Sequence, residues 1–181
     1  VVDEADLVKR IDAALRSGRH IILTGPPGSG KTELAEAICD HYRSDDYQIT
    51  TATSDWSTFE TIGGYRPDGD DGGLEFSPGL FLERFADEEM NPRNEWLVVD
   101  ELNRASIDKA FGSLFTVLTG ENVTLPYTDI DDGEARDVQI VGDPDTVPDD
   151  DIRQYYVPDD WRMIATMNAA DKSALYQMSY A

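Results

Sequence analysis

Cysteine is nearly absent: Cys39 is the only one in 181 residues. That excludes a disulfide framework and suits a reducing, cytoplasmic setting. Lysine is scarce too, at four residues (Lys9, Lys31, Lys109, Lys172), and 15 basic residues stand against 37 acidic ones, a formal net charge of -22. A field of that sign opposes nucleic acid at low salt. No apolar run nears the roughly 18 residues of a membrane span, and no charged-then-apolar leader opens the chain. The expectation is a soluble protein with no membrane partner. What is present is 40% hydrophobic residues, enough for a core, in a length that suits one domain, residues 1–181. The first residue is Val and the last helical pattern stops mid-run, as expected of a piece cut from a longer protein.

The most informative stretch is Gly25-Pro26-Pro27-Gly28-Ser29-Gly30-Lys31-Thr32, which satisfies G-x-x-x-x-G-K-[ST] at every position. The apolar run His20–Thr24 ahead of it predicts a buried strand. Glu33–Cys39 behind it has helical spacing, with Leu34, Ala35 and Ile38 on one face and Cys39 buried. In that context glycines let successive backbone N–H groups turn toward one anion, and the helix start adds its dipole. The expected nucleotide contacts are Gly25 through Thr32 and Glu33. Lys31 would reach the β- and γ-phosphates, and the Thr32 hydroxyl would ligate Mg2+. A plain glycine turn has no need of Lys-Thr at that offset.

Trp96-Leu97-Val98-Val99 predicts a central strand buried on both faces, ending in Asp100-Glu101. The carboxyl end of such a strand is where open α/β sheets bind ligands. Asp100 would hold the Mg2+ shell through water, and Glu101 would polarise an attacking water as general base. A third strand, Trp161–Asn168, would bring the Asn168 amide beside the γ-phosphate and that water. Asp171-Lys172-Ser173 fits a following helix start.

Elsewhere Asp3–Ser17 predicts an amphipathic helix with Leu7, Ile11, Ala14 and Leu15 as its stripe, and Tyr47–Thr53 a strand. Ser54–Pro67 is either a packed connection or a surface loop. Asp68–Gly73 has the composition of a hairpin tip. Ser77-Pro78-Gly79 is expected to open a helix through Ala86, and Ser106 to cap one running from Ile107 to Leu118. Between Asp129 and Asp160 twelve acids face only Arg136 and Arg153. The expectation there is a solvated loop or hairpin holding one short strand, Val138–Val141.

Asp100-Glu101-Leu102-Asn103-Arg104-Ala105 resembles the D-E-[IL]-N-R-[AG] motif of AAA+ ATPases in the branch of MoxR-like, dynein-related and McrB-like proteins. Thr166-Met167-Asn168-Ala169-Ala170-Asp171-Lys172-Ser173 is similar to the McrB-type T-M-N-T-A-D-R-S segment. Gly63–Pro67 and Phe76–Gly79 resemble its G-Y-R-P and F-x-x-G segments. The resemblance implies an α/β fold of the P-loop NTPase kind, a three-layer sandwich around five parallel strands. It implies catalytic roles for Lys31, Glu101 and Asn168, metal roles for Thr32 and Asp100, Mg2+ with ATP or GTP as cofactors, and a homo-oligomeric ring. Asn103 and Arg104 would face a neighbouring subunit. The arginine finger and helical lid of the family are expected beyond Ala181. Function would then be nucleotide hydrolysis driving remodelling or translocation. The McrB-like form would work with a nuclease subunit and reach DNA through further domains. The alternatives are a MoxR-like chaperone acting on a protein client and a scaffold that does not hydrolyse. The acids are spread along the chain, so the composition also resembles that of salt-loving archaea, whose dense carboxylates are screened by salt.

Overall fold

In the computed structural model residues 4–43, 46–67, 73–131 and 134–169 are described. In chain order the elements are α1 (Glu4–Arg16), β1 (Ile21–Gly25), α2 (Lys31–Arg43), β2 (Tyr47–Thr51), α3 (Thr58–Thr61), β3 (Gly63–Pro67) and β4 (Leu74–Pro78). Then follow β5 (Trp96–Asp100), α4 (Ile107–Phe111), α5 (Leu114–Leu118), β6 (Val123–Asp131), β7 (Glu134–Val141), β8 (Ile152–Tyr156) and β9 (Met163–Asn168). They form two compact units, one from Val1–Ser54, Glu95–Ala105 and Asp159–Ala181, the other from Asp55–Asn94 and Ser106–Pro158.

The first unit is a parallel sheet in the order β1-β9-β5-β2. One row of it runs Ile21, Ile164, Val98, Ile49. The two inner strands are buried as continuous apolar runs, Trp96–Val99 and Met163–Met167, which is what strands covered on both faces require. The outer strand β1 corrects the expectation of a buried strand. It alternates, with Ile21 and Leu23 inside and Ile22 40% exposed. Among the described residues the sheet has four strands, not the five expected. Helix α2 packs on β1, β5 and β9, with Ala35, Ile38 and Cys39 buried. Burial, aided by Asp40 and Glu36, pushes the Cys39 thiol up to about 12, so it is a packing residue and not a nucleophile. Helix α1 buries Ile11 and Leu15 and ends where Gly18 turns left-handed. The Arg162 guanidinium donates to the carbonyls of Leu15, Asp159 and Trp161, stitching the last turn of α1 to the start of β9.

The second unit departs more from expectation. Ser57 and Glu60 form a capping box that starts α3. Ile62 is buried while Phe59 and Tyr65 are exposed, so the stretch is partly packed connection and partly surface. Strands β3 and β4 pair antiparallel, while the tip at residues 68–72 lies outside the described residues. The helix expected from Pro78 to Ala86 is only a 3-10 turn, Leu82–Arg84. The N–H groups of Gly79, Leu80 and Phe81 donate back to Ile62, Glu60 and Thr61, which fixes the chain in a non-helical path. The single helix expected from Ile107 to Leu118 is split into α4 and α5 at Gly112, whose φ of 46° and ψ of -122° no helix contains. A Cβ there would meet Thr58 Cγ2 at 2.6 Å. Ser106 makes no side-chain cap.

Of the loop or hairpin expected for the acidic stretch, the antiparallel pairing of a hairpin is what forms, as part of a three-stranded sheet. Strand β6 pairs antiparallel with β7, and β7 pairs parallel with β8, an unexpected strand. Val138, Ile140, Val141 and Tyr155 are buried on it. Asp129 and Arg153 form an ion pair at 2.5 Å with little exposure, so two charges of this stretch are spent on the fold and not on solvent.

Candidate functional site

All the residues singled out for chemistry belong to the first unit. Parallel strands end side by side, so Gly25 of β1 lies opposite Asn168 of β9, and Asp100 closes the neighbouring strand. Between β1 and α2 the chain turns through Gly28 and Gly30 at φ values of 71° and 76°. Ser29 Oγ donates to the Pro26 carbonyl at 2.8 Å and tightens the turn. A Cβ on Gly25 would meet Ser29 Oγ at 2.8 Å. Residues 26–30 are exposed, and α2 starts at Lys31, so the loop presents a helix N-terminus to solvent. Glu33 is exposed in the first turn of that helix.

Lys31 Nζ donates to the Pro26 carbonyl at 3.0 Å and to Asn168 Oδ1 at 3.1 Å. The cation and the strand-end amide are therefore neighbours although 137 residues separate them. The Thr32 hydroxyl donates to Asp100 Oδ1 at 2.9 Å. Hydroxyl and carboxylate together are an oxygen donor set of the kind Mg2+ takes, and the loop of left-handed glycines leaves the open cradle a phosphate needs. Both features fit a Mg2+-nucleotide.

Glu101 lies just past β5 in the left-handed region, φ 53° and ψ 44°, uncommon for a residue with a Cβ. One of its carboxylate oxygens accepts from Asn168 Nδ2 at 3.5 Å, a long contact, and the other pairs with Arg104 at 2.6 Å. Asn103 Oδ1 accepts from the Asn168 N–H at 3.1 Å. Asn103 and Arg104, expected toward a neighbouring subunit, thus have partners within their own chain. Thr166 was missed as anything but core. Its hydroxyl donates to Asp100 Oδ1 at 2.5 Å and accepts from the Glu101 N–H at 3.0 Å. The signal was available: Thr166 is two residues before Asn168, so on a strand both side chains share a face. Asp171, Lys172 and Ser173 lie outside the described residues.

The profile of the AAA domain, dynein-related subfamily, matches residues 20–181. The chain is 29% identical over 164 residues to the type IV methyl-directed restriction enzyme EcoKMcrB subunit of Escherichia coli K12, a match covering 86% of this chain and 31% of that one. It is 40% identical over 50 residues to a provisionally named Lon protease homologue of Methanothermobacter thermautotrophicus, 28% of this chain and 10% of that one. Among solved structures a provisionally named ATPase of Cytophaga hutchinsonii matches at a TM-score of 0.51 and 21% identity, over 95% of this chain and 41% of that one. This chain therefore spans less than half of each of these relatives.

Proposed function

The chain belongs to the dynein-related subfamily of AAA domains, and from that premise we propose that it binds a Mg2+-nucleoside triphosphate and hydrolyses it at the ends of β1, β5 and β9. The observation that carries this is the convergence of Lys31, Thr32, Asp100, Glu101 and Asn168 at one place, as two hydrogen-bonded sets that the Thr166 hydroxyl joins. Lys31 and the N-terminus of α2 bind the phosphates. Thr32 and Asp100 would hold the metal. Mg2+, when bound, would neutralise charge on the phosphates. Glu101 accepts the proton of the attacking water, and the Asn168 amide, in contact with both Glu101 and Lys31, orients that water at the γ-phosphate.

Hydrolysis would power translocation in a ring, as one subunit of a system that also needs a nuclease partner. Support for that finer reading is the match to the restriction subunit over 86% of the chain. The test is calorimetric titration with ATPγS and GTPγS, with Mg2+, in molar KCl. Binding of GTPγS alone strengthens the restriction reading. Binding of ATPγS alone favours a chaperone-like remodeller of proteins. Binding of neither overturns the site.

A further inference from the structure

We propose that Thr166 is a positioning residue for this reaction: its one hydroxyl sets both the Asp100 carboxylate and the left-handed backbone of Glu101. The inference rests on the reading of Glu101 as general base given above.

Packing does not ask for a hydroxyl at this place. Thr166 is buried on β9 among Ile164, Ala165 and Met167, where Val would fill the same volume with the same preference for strands. The hydroxyl nonetheless uses both of its capacities, one toward each of two consecutive residues. Toward Asp100 it shares Oδ1 with the Thr32 hydroxyl, which leaves the other carboxylate oxygen free for a metal's water shell. Toward Glu101 it supplies the acceptor for an N–H at a left-handed turn, where a residue with a Cβ is disfavoured and needs holding. That turn aims the Glu101 carboxylate at Asn168 instead of along the strand. Lose the hydroxyl, and the part-buried N–H is left without its acceptor. The turn then relaxes, and the base moves off the water it should deprotonate.

The experiment compares wild type, Thr166→Val and Thr166→Ser in the whole chain. It measures nucleotide affinity by titration with non-hydrolysable analogue, hydrolysis by single turnover of γ-labelled nucleotide, and hydrogen exchange of the Glu101 amide without nucleotide. The expected result for Thr166→Val is hydrolysis slower by about 10- to 100-fold, affinity within about threefold, and Glu101 amide exchange at least about tenfold faster. Thr166→Ser restores all three. Should Val not be accommodated, Thr166→Ser against Thr166→Ala isolates the hydroxyl in the same way. Unchanged amide exchange, or hydrolysis that survives loss of the hydroxyl in an active wild type, overturns this proposal alone. A wild type that binds no nucleotide overturns the reading of the site, and the proposal with it.

Discussion

The two units put polar side chains to different uses. In the parallel unit, groups from β1, α2, β5 and β9 gather at one set of strand ends, where Lys31, Asn168 and Glu101 touch in series. In the other unit polar groups close pairs within a sheet, as Asp129 does with Arg153. Rings there pack edge-on or tilted in a chain of Tyr65, Tyr127, Phe76 and Tyr155. Topology explains the contrast. Parallel strands present all their carboxyl ends on one side, so each strand can add a side chain to the same place. In the mixed sheet β6-β7-β8 the first strand runs against the other two, so the carboxyl ends are divided between two sides, and its charges serve register and packing.

The contrast predicts that variants of the second unit change stability and variants of the first change chemistry. The largest effect expected is Phe81→Ala, since Phe81 is fully buried against Phe111 at 5.1 Å between rings. It should cost about 3–5 kcal/mol in denaturant unfolding. The contrast would break if nucleotide affinity fell while the protein stayed folded. Next, Glu101→Gln should slow hydrolysis by about 100- to 1000-fold with affinity within about threefold. Normal hydrolysis would place the base elsewhere. Lys31→Ala should weaken nucleotide binding by roughly 100-fold, read by calorimetry, while leaving the melting temperature of the free protein nearly unchanged.

The smallest effect sharpens the contrast inside the first unit, where one polar group serves stability alone. His20 packs edge-on to Trp161 and accepts from the Met163 N–H at Nδ1, which requires a neutral ring. Burial, helped by the charge of Arg162, lowers its pKa to about 4. The unfolded chain, with the ordinary value of 6.5, takes the proton first as pH falls. The stabilisation is therefore complete above pH 6.5 and is lost from there down to about 4, with about 2 kcal/mol of the loss falling between pH 7 and 4.5. Urea midpoints at pH 7 and 4.5 should differ more for wild type than for His20→Gln. Equal differences would remove His20 from the account.

What was legible in the residues follows the same division. The glycine loop with Lys31-Thr32 and the pair Asp100-Glu101 are contiguous patterns, readable without knowing the fold, and the structure places them together. Strands β5 and β9 were legible because both faces are apolar. Strand β8 was not, because Arg153 and Gln154 sit inside it and Asp149-Asp150-Asp151 precede it. Its apolar content is carried by few positions, chiefly Tyr155. The break at Gly112 was hidden because a glycine inside helical spacing is tolerated elsewhere. The backbone conformation at Gly112 and the approach of Thr58, far away in sequence, are what require it. Thr166 and Asn103 were hidden for another reason: their partners are Asp100, Glu101 and Asn168, and such pairings exist only after the strands are aligned.

The place of β9 carries one more consequence. It lies between β1 and β5, which are not hydrogen-bonded to each other, yet it is the last strand in the described chain. During synthesis, Lys31 leaves the ribosome 137 residues ahead of Asn168 and cannot meet it before then. Until then no strand hydrogen-bonds β1 to the β5-β2 pair. The cluster at the strand ends is therefore completed only when β9 is made, and a nascent chain carrying the whole glycine loop still lacks the amide that meets Lys31 and Glu101.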